Sequence, residues 1–344
     1  MNIIVGENAQ GKTTILEAIH VLGLAKSHRT PLDAPLIREG EAFAKAQARC
    51  DLAGRHERLE VVISEQGKRI RRNDIEHPRL SDHIGHLNAV MFAPEDLELV
   101  KGSPAERRRF LDQGISQFDR RHIRHLARYR KLLKERNEYL KTLAKKKKEP
   151  DSLLDVLGEQ LAHYAKKIIA ARKDFIGELG KIAGTIYAKL SAEDPIEIRY
   201  EPSVDAEGFE EALRQKLRID ILTGSTSIGP HRDDCGLYSG KEPFKTKGSQ
   251  GQFRTLAISL KLAVVEIIRK TRGATPVILL DDVFSELDEK RQEKLLRLLD
   301  KDGQVFITTT REGAVHPQSL KQGKVFKIHA GKIEGVSNYG PTQE

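Results

Sequence analysis

The chain has 344 residues, 38% hydrophobic and 32% charged, with 59 Lys or Arg against 50 Asp or Glu and a formal charge of +9. That length suggests about two domains with a real core, and the composition excludes a disordered chain. The two cysteines, Cys50 and Cys235, exclude a disulfide framework, a four-cysteine zinc site and a CxxC redox pair; no apolar run approaches the ~18 residues of a membrane helix, so a reducing cytoplasm is expected.

Met1 to Val5 is a short β-type run, followed by a glycine-punctuated turn and an apolar-periodic stretch through Ile15, Leu16, Ile19 and Leu22. That order predicts strand, loop, helix. From Phe43 to about Ile75 the alternation predicts antiparallel strands with a turn near Gly67, and Ala89 to Phe92 reads as another strand. Between Lys101 and Lys148 stand 17 Lys or Arg against 5 Asp or Glu, a net of +12, so the remainder sums to −3. Such a segment is either a solvated helical face or the footprint of a polyanion-binding element. Within it Leu126, Leu133 and Leu140 recur every seven residues. After a basic turn, Lys145 to Lys148, the repeat resumes at Leu154, Leu161, Ile168, Phe175 and Ile182. Two such helices make an antiparallel, coiled-coil-like hairpin, whether as an arm or packed on a domain core. Beyond it come an extended segment at 196–200, a helix at 210–217, and alternating helix and strand: 251–270, 277–280, 289–299 and 305–308. That alternation predicts a parallel sheet with covering helices.

Gly6-Glu7-Asn8-Ala9-Gln10-Gly11-Lys12-Thr13, with Thr14 beside it, fits G-x-x-x-x-G-K-[ST] between a strand and a helix. Glycines let backbone N–H groups close around phosphate oxygens, and the helix N-terminus adds partial positive charge. Lys12 would reach the β- and γ-phosphates of ATP, and the Thr13 hydroxyl would be a ligand for Mg²⁺. Val277 to Leu280 is apolar throughout and ends in Asp281-Asp282, as a central strand does at the ligand side of a parallel sheet. Asp281 would hold the Mg²⁺ through water, and Asp282 would face the attacking water as a polarising base. Ser249-Gln250-Gly251-Gln252 opens a helix whose buried face would include Phe253, Leu256, Leu260 and Val264. Taken alone, that serine is an ordinary helix cap.

In this order the phosphate loop, the Ser-x-Gly-Gln signature and the acid-terminated strand resemble the head of ABC-type ATPases. Ser285-Glu286-Leu287-Asp288 resembles the D-loop of those proteins. Val305 to Thr310 resembles their switch strand without its histidine, and Pro94-Glu95-Asp96 stands where a Q-loop is found. Ser27-His28-Arg29, Lys101 to Pro104, Arg107-Arg108-Arg109-Phe110-Leu111-Asp112 and Gly229-Pro230-His231-Arg232-Asp233-Asp234 narrow the resemblance to the bacterial RecF family. It implies an α/β P-loop fold of the ABC-ATPase head type. Lobe I, with a mixed sheet and helices, would comprise 1–92 and 275–344; an inserted helical lobe II at 93–274 would bear a short antiparallel arm at about 119–190. It also implies slow, DNA-stimulated ATP hydrolysis and a homodimer that ATP brings together through Ser249 to Gln252. It further implies binding of gapped or junction DNA and partnership with RecO and RecR in loading RecA at the nucleoid. The basic segment itself, with no recognition-helix or zinc-finger signature beside it, predicts phosphate contacts without sequence preference, through Arg107, Arg108 and Arg109 rather than the Lys145 to Lys148 turn.

Members of that family begin with further strands ahead of the phosphate loop, so Met1 is expected to be an internal residue of a longer protein. Two other readings compete. A transporter ATPase subunit is disfavoured by the heptad hairpin, the concentrated basic charge and the missing switch histidine. A chromosome-organising SMC head would carry far longer coiled coils.

Overall fold

Four consecutive apolar residues, Val277–Leu280, have no polar face to show to solvent, and the chain buries them in mid-sheet. They pair in parallel with Val305–Thr309 on one side and Ala89–Phe92 on the other. Asn2–Val5 lies parallel between Val305–Thr309 and Gly323–His329, and Lys332–Tyr339 closes that edge as an antiparallel hairpin. The computed structural model describes residues 1–344 apart from 31, 53, 148, 192–194, 300–302, 311–322 and 340–344. Lys148 of the expected basic turn thus lies outside the described residues.

The chain divides into two compact units, the first formed by Met1–Leu97, Thr185–Glu193 and Ser249–Glu344, the second by Glu98–Gly184 and Asp194–Gly248. In the first, the helix Lys12–Leu24 is covered by a second, antiparallel sheet of Phe43–Leu52, Arg55–Ser64, Gly67–Arg72 and Ile75–Glu76. Alternation decides which face of that sheet turns inward: Leu59, Val61, Ile63 and Ile70 pack on Val21, Leu22 and Ala25. The helix Gln250–Arg272 also belongs to this unit. Lobes drawn at 93–274 would group it with the hairpin. Its Lys261 instead donates to the Met91 carbonyl at 2.6 Å and pairs with Asp96 at 2.7 Å, which fastens it to the Ala89–Phe92 strand and the turn that follows.

The second unit holds the helical hairpin, Arg120–Lys146 followed by Ser152–Leu190, whose last turns from Thr185 on belong to the first unit. Its helices do not meet along a private seam. Leu126, Tyr129 and Leu132 share a core with Leu161, Ala165 and Ile168, and also with Phe209, Leu213 and Ile228. The buried stripe on the first helix follows the 3.6-residue period through Arg136, while heptad Leu133 is only partly buried. The helix expected at 210–217 is two short ones, Phe209–Gln215 and Leu217–Thr223. The second carries Asp220 inward, where the carboxylate accepts from Arg136 at 2.9 Å and from the Ser227 N–H at 2.9 Å.

Two motifs about 120 residues apart meet in this unit. Arg107 grips Asp234 through Nε and Nη2 at 2.8 and 2.9 Å, and Arg108 donates to the Asp233 carbonyl at 2.6 Å. Arg172 joins both segments. It donates to Asp112 at 3.0 and 2.9 Å and to the Pro230 carbonyl at 2.6 Å. Gly229 has φ +125°, and a Cβ there would stand 2.4 Å from the Tyr129 hydroxyl, so only glycine fits.

Burial alone would raise the Asp112 carboxyl, but the His122 hydrogen bond and the Arg172 guanidinium outweigh it and bring it down to about 2. An unfolded aspartate titrates near ~3.9. The stabilisation is therefore complete above that value and is lost as pH falls towards 2. Asp112→Asn should cost about 3 kcal/mol or more at neutral pH, because it leaves Arg172 buried without its counter-charge. It should also flatten the acid limb of stability, measured by urea unfolding at several pH values between ~4 and ~2. An unchanged limb would exclude Asp112 as its source.

Candidate functional site

Parallel pairing sets the site. Val5 lies level with Thr309, and Leu280 with Ile307, so the chain leaves the strands Asn2–Val5 and Val277–Leu280 at one end of the sheet. Ligands bind at such carboxyl ends in α/β folds. The loop after Val5 runs over the sheet edge so closely that a Cβ on Gly6 would meet the Ile328 carbonyl oxygen at 2.5 Å. Glu7, Asn8 and Ala9 form its exposed tip, with Ala9 at φ +64°. Gln10 is clasped by the turn that joins the last two strands: its Oε1 accepts from the Ala330 N–H at 2.6 Å, and its carbonyl from the Gly331 N–H at 3.0 Å. Gly11 then caps the helix that begins at Lys12; Thr14 faces solvent.

The buried Lys12 ammonium folds back on its own loop, donating to the carbonyls of Gly6 at 2.6 Å and Glu7 at 2.7 Å. Burial pulls its pKa below the ordinary lysine value, against the opposing charges of Asp282 and Asp281. The Thr13 hydroxyl donates to Asp281 Oδ1 at 3.0 Å. The same oxygen receives the Thr308 hydroxyl at 2.7 Å, and the Asp281 N–H is held by the Phe92 carbonyl at 2.8 Å. Asp282 follows in the left-handed region at φ +50°, its N–H donating to Thr308 Oγ1 at 2.9 Å. Lys12, Thr13, Asp281 and Asp282, separated by some 270 residues, thus make one polar crevice.

Its donor set is a hydroxyl beside a carboxylate oxygen, both hard ligands. That is what Mg²⁺ takes when phosphate oxygens and water complete its shell. Among the described residues no cluster of three or more His, Cys, Asp or Glu could hold a metal by itself.

Other residues singled out in the sequence lie around this crevice or away from it. Ser285 donates to the Asp282 carbonyl at 2.8 Å, and Asp288 Oδ1 caps the helix Glu289–Leu299 by accepting from the Arg291 N–H at 2.9 Å. Arg254 pairs with Glu286 at 2.9 Å, tying the helix Gln250–Arg272 to the Ser285–Asp288 turn. Ser249 and Gln252 form a reciprocal capping box at that helix start. Ser249 is exposed and makes its hydrogen bonds there; Gln250 and Gly251 follow in the first turn, where the Gly251 carbonyl accepts from the Thr255 hydroxyl at 2.8 Å. Arg107 and Arg108 spend their guanidinium groups on Asp234 and Asp233, and Arg109 lies on the same helix, Pro104–Ser116. Sequence reading placed Thr308 only within the Val305 to Thr310 segment and gave it no role of its own, because a threonine in a strand is what β-propensity alone would supply. Lys261 was hidden for a similar reason, as a cation on a mostly apolar helix.

Residues 1–334 match the family model described as the RecF/RecN/SMC N terminal domain. A "DNA replication and repair protein RecF" of Geobacillus thermodenitrificans (strain NG80-2) is 44% identical over 348 residues, covering 98% of this chain and 94% of that protein. A solved structure described as the "recombination mediator protein RecF-ATP in RecFOR pathway" superposes with a TM-score of 0.88 at 31% identity, over 98% of this chain and 91% of the other. Its RecF-ATPrS counterpart gives 0.85 at 32% identity, over 96% and 91%.

Proposed function

The chain belongs to the RecF/RecN/SMC N-terminal domain family, and from that membership we propose an ATP-gated DNA-binding repair factor acting in the RecFOR pathway. The observation that carries this is the hydrogen-bonded meeting of Thr13 and Asp281, which joins a phosphate-binding loop to an acid-terminated strand.

In this reading the backbone of Gly6 to Thr14 surrounds the ATP phosphates, and Lys12 leaves the Gly6 and Glu7 carbonyls for the β- and γ-phosphate oxygens. Thr13 and Asp281 would hold Mg²⁺, which when bound would neutralise charge on the phosphate oxygens. Asp282 takes the proton of the attacking water as the bond from the γ-phosphorus to the bridging oxygen breaks, leaving ADP and phosphate. Hydrolysis is slow. Two copies share two ATP molecules, with Ser249 and the start of the helix Gln250–Arg272 engaging the γ-phosphate held by the opposite copy. The dimer holds gapped DNA without reading its sequence, and RecO and RecR act beside it in loading RecA.

Lys12→Ala should weaken ATP binding by about tenfold or more, the worth of a charge-assisted contact, and should abolish ATP-driven dimerisation. Asp282→Asn should instead bind ATP normally, turn over slowly and accumulate as dimer. Titration with a fluorescent ATP analogue and phosphate release separate the two; equal behaviour of both variants would refute the assigned roles.

Ser249→Arg should leave monomer ATP affinity nearly intact while blocking the dimer, because the bulk sits on the face offered to the second copy. Sedimentation with ATP and with ADP reads this directly. A variant dimer as tight as the parent returns Ser249 to being a helix cap.

Inward pairing of Arg107 and Arg108 shifts the DNA contact towards the exposed cations of the hairpin's first helix. Arg124 and Arg128 lie one turn apart on that helix and face solvent. Replacing both with Gln should lower the log–log salt slope of gapped-duplex binding by about 0.9 per lost phosphate contact. Arg107→Gln should cost stability instead. A slope unchanged by the double substitution would send the DNA elsewhere.

A further inference from the structure

We propose that Thr308 is a positioning residue for nucleotide-linked metal binding: its hydroxyl sets the orientation of the Asp281 carboxylate and, through one backbone hydrogen bond, the left-handed turn at Asp282. This rests on the ATP reading above and adds a residue to it.

Thr308 stands in the strand Val305–Thr309, level with Ile4 of the neighbouring strand, and is 1% exposed. At a buried sheet position valine would supply the same shape and β-preference with no polar atom to satisfy. The hydroxyl is therefore a cost unless both its donor and its acceptor sides are used. Both are. Oγ1 accepts from the Asp282 N–H at 2.9 Å and donates to Asp281 Oδ1 at 2.7 Å. Such a relay polarises in sequence: accepting from an amide makes the hydroxyl a stronger donor to the carboxylate.

Asp281 Oδ1 has a second donor, the Thr13 hydroxyl at 3.0 Å. The two are not equivalent. Thr13 belongs to the phosphate loop, whose path answers to whatever enters it, so its hydrogen bond to Asp281 moves with that loop. Thr308 belongs to a strand paired on both sides, with Asn2–Val5 and Val277–Leu280, and stays. It keeps the carboxylate aimed while the loop side of the site reorganises. The same hydroxyl anchors Asp282, a non-glycine residue at φ +50°, where an L side chain is strained and needs its backbone held. One threonine thus fixes the directions of both acids, through the side chain of one and the backbone of the other.

The test compares Thr308→Val, which keeps shape and removes the hydroxyl, with Thr308→Ser, which keeps the hydroxyl. Binding of a fluorescent ATP analogue is measured first in EDTA and then across a Mg²⁺ titration, with Mn²⁺ binding followed by electron paramagnetic resonance. The valine protein should bind nucleotide in EDTA within about twofold of the parent. Its half-saturating Mg²⁺ and its Mn²⁺ dissociation constant should rise roughly tenfold or more, as expected for a lost hydrogen bond to a charged group. The serine protein should stay within about threefold of the parent on every readout. The proposal is overturned if valine leaves the metal dependence unchanged, if serine and valine are equally impaired, or if valine also loses binding in EDTA, since a positioning hydroxyl spares that step. Failure of the parent itself to bind the analogue refutes the ATP reading instead.

Discussion

A carboxylate withdrawn from water must find donors inside the protein, and the first unit is organised around that need at Asp281. Its Oδ1 meets hydroxyls from Thr13 and Thr308, and Lys12 contributes positive charge close by. Those residues come from three strand ends that the parallel register places side by side. Had Val305–Thr309 slipped by one residue, Thr308 would face the other side of the sheet and the carboxylate would lose its fixed donor. The requirement reaches outwards too. The loop from Gly6 to Gly11 holds its path because Gln10 is bonded to the Ala330–Gly331 turn, so the final hairpin acts as an edge support for residues more than 300 positions earlier.

The second unit meets the same physical demand for a different purpose. Asp112, Asp220 and Asp233 are buried, and each is answered by arginine or tyrosine: Arg172 on Asp112, Arg136 on Asp220, Tyr200 on Asp233. These pairs contribute little compared with an apolar core of equal volume, but breaking any one of them strands a charge. They therefore act as locks on register: Arg172 holds the segments at 107–112 and 229–234 against the hairpin, Arg136 the helix Leu217–Thr223, and Tyr200 ties the strand Ile196–Glu201 to Asp233. Both acidic centres are buried and both are hydrogen-bonded. The difference lies in what faces them: Asp281 looks towards a loop lysine that is folded back on carbonyls and can be redirected, while Asp112 is closed by a bidentate guanidinium.

How much of this is legible in the sequence follows from the kind of signal each residue leaves. The phosphate loop was legible because glycine spacing, a lysine and a flanking strand all report one backbone shape. Asp281-Asp282 was legible because two adjacent acids at the end of a buried apolar strand are costly unless a cation or donor faces them. The helix Gln250–Arg272 was found to within two residues at each end. Arg136 and Arg172 were not, since heptad counting assigns every cation to the solvent side and cannot see a carboxylate on a distant element. The break at Lys216 was invisible for the same reason: what turns the second short helix is Asp220 reaching Arg136, 84 positions away. Grouping the Gln250–Arg272 helix with the first unit follows from contacts with distant elements, among them Lys261 with Met91 and Asp96 and Arg254 with Glu286. Local pattern reports local structure; pairing across the chain does not pass through it.

The basic segment shows what that distinction does to a functional argument. By composition it offers 17 cations to a polyanion. Arg107 and Arg136 are buried in ion pairs, and Arg108 donates to a backbone carbonyl, so three of the least mobile guanidiniums serve the fold. Lys131 and Lys134 lie 3.8 Å from Glu135 and Glu138, pairs that exposure makes weak and that a phosphate could displace. The field available to nucleic acid is consequently smaller than the net charge implies, and it is concentrated on the solvent face of Arg120–Lys146. A helix that buries one cation to fix its own packing and turns most of the others outward can present them as a stiff array. Rigid spacing along about seven turns of helix suits a phosphate backbone of regular repeat better than a flexible basic tail would, because less side-chain and backbone freedom is lost on binding.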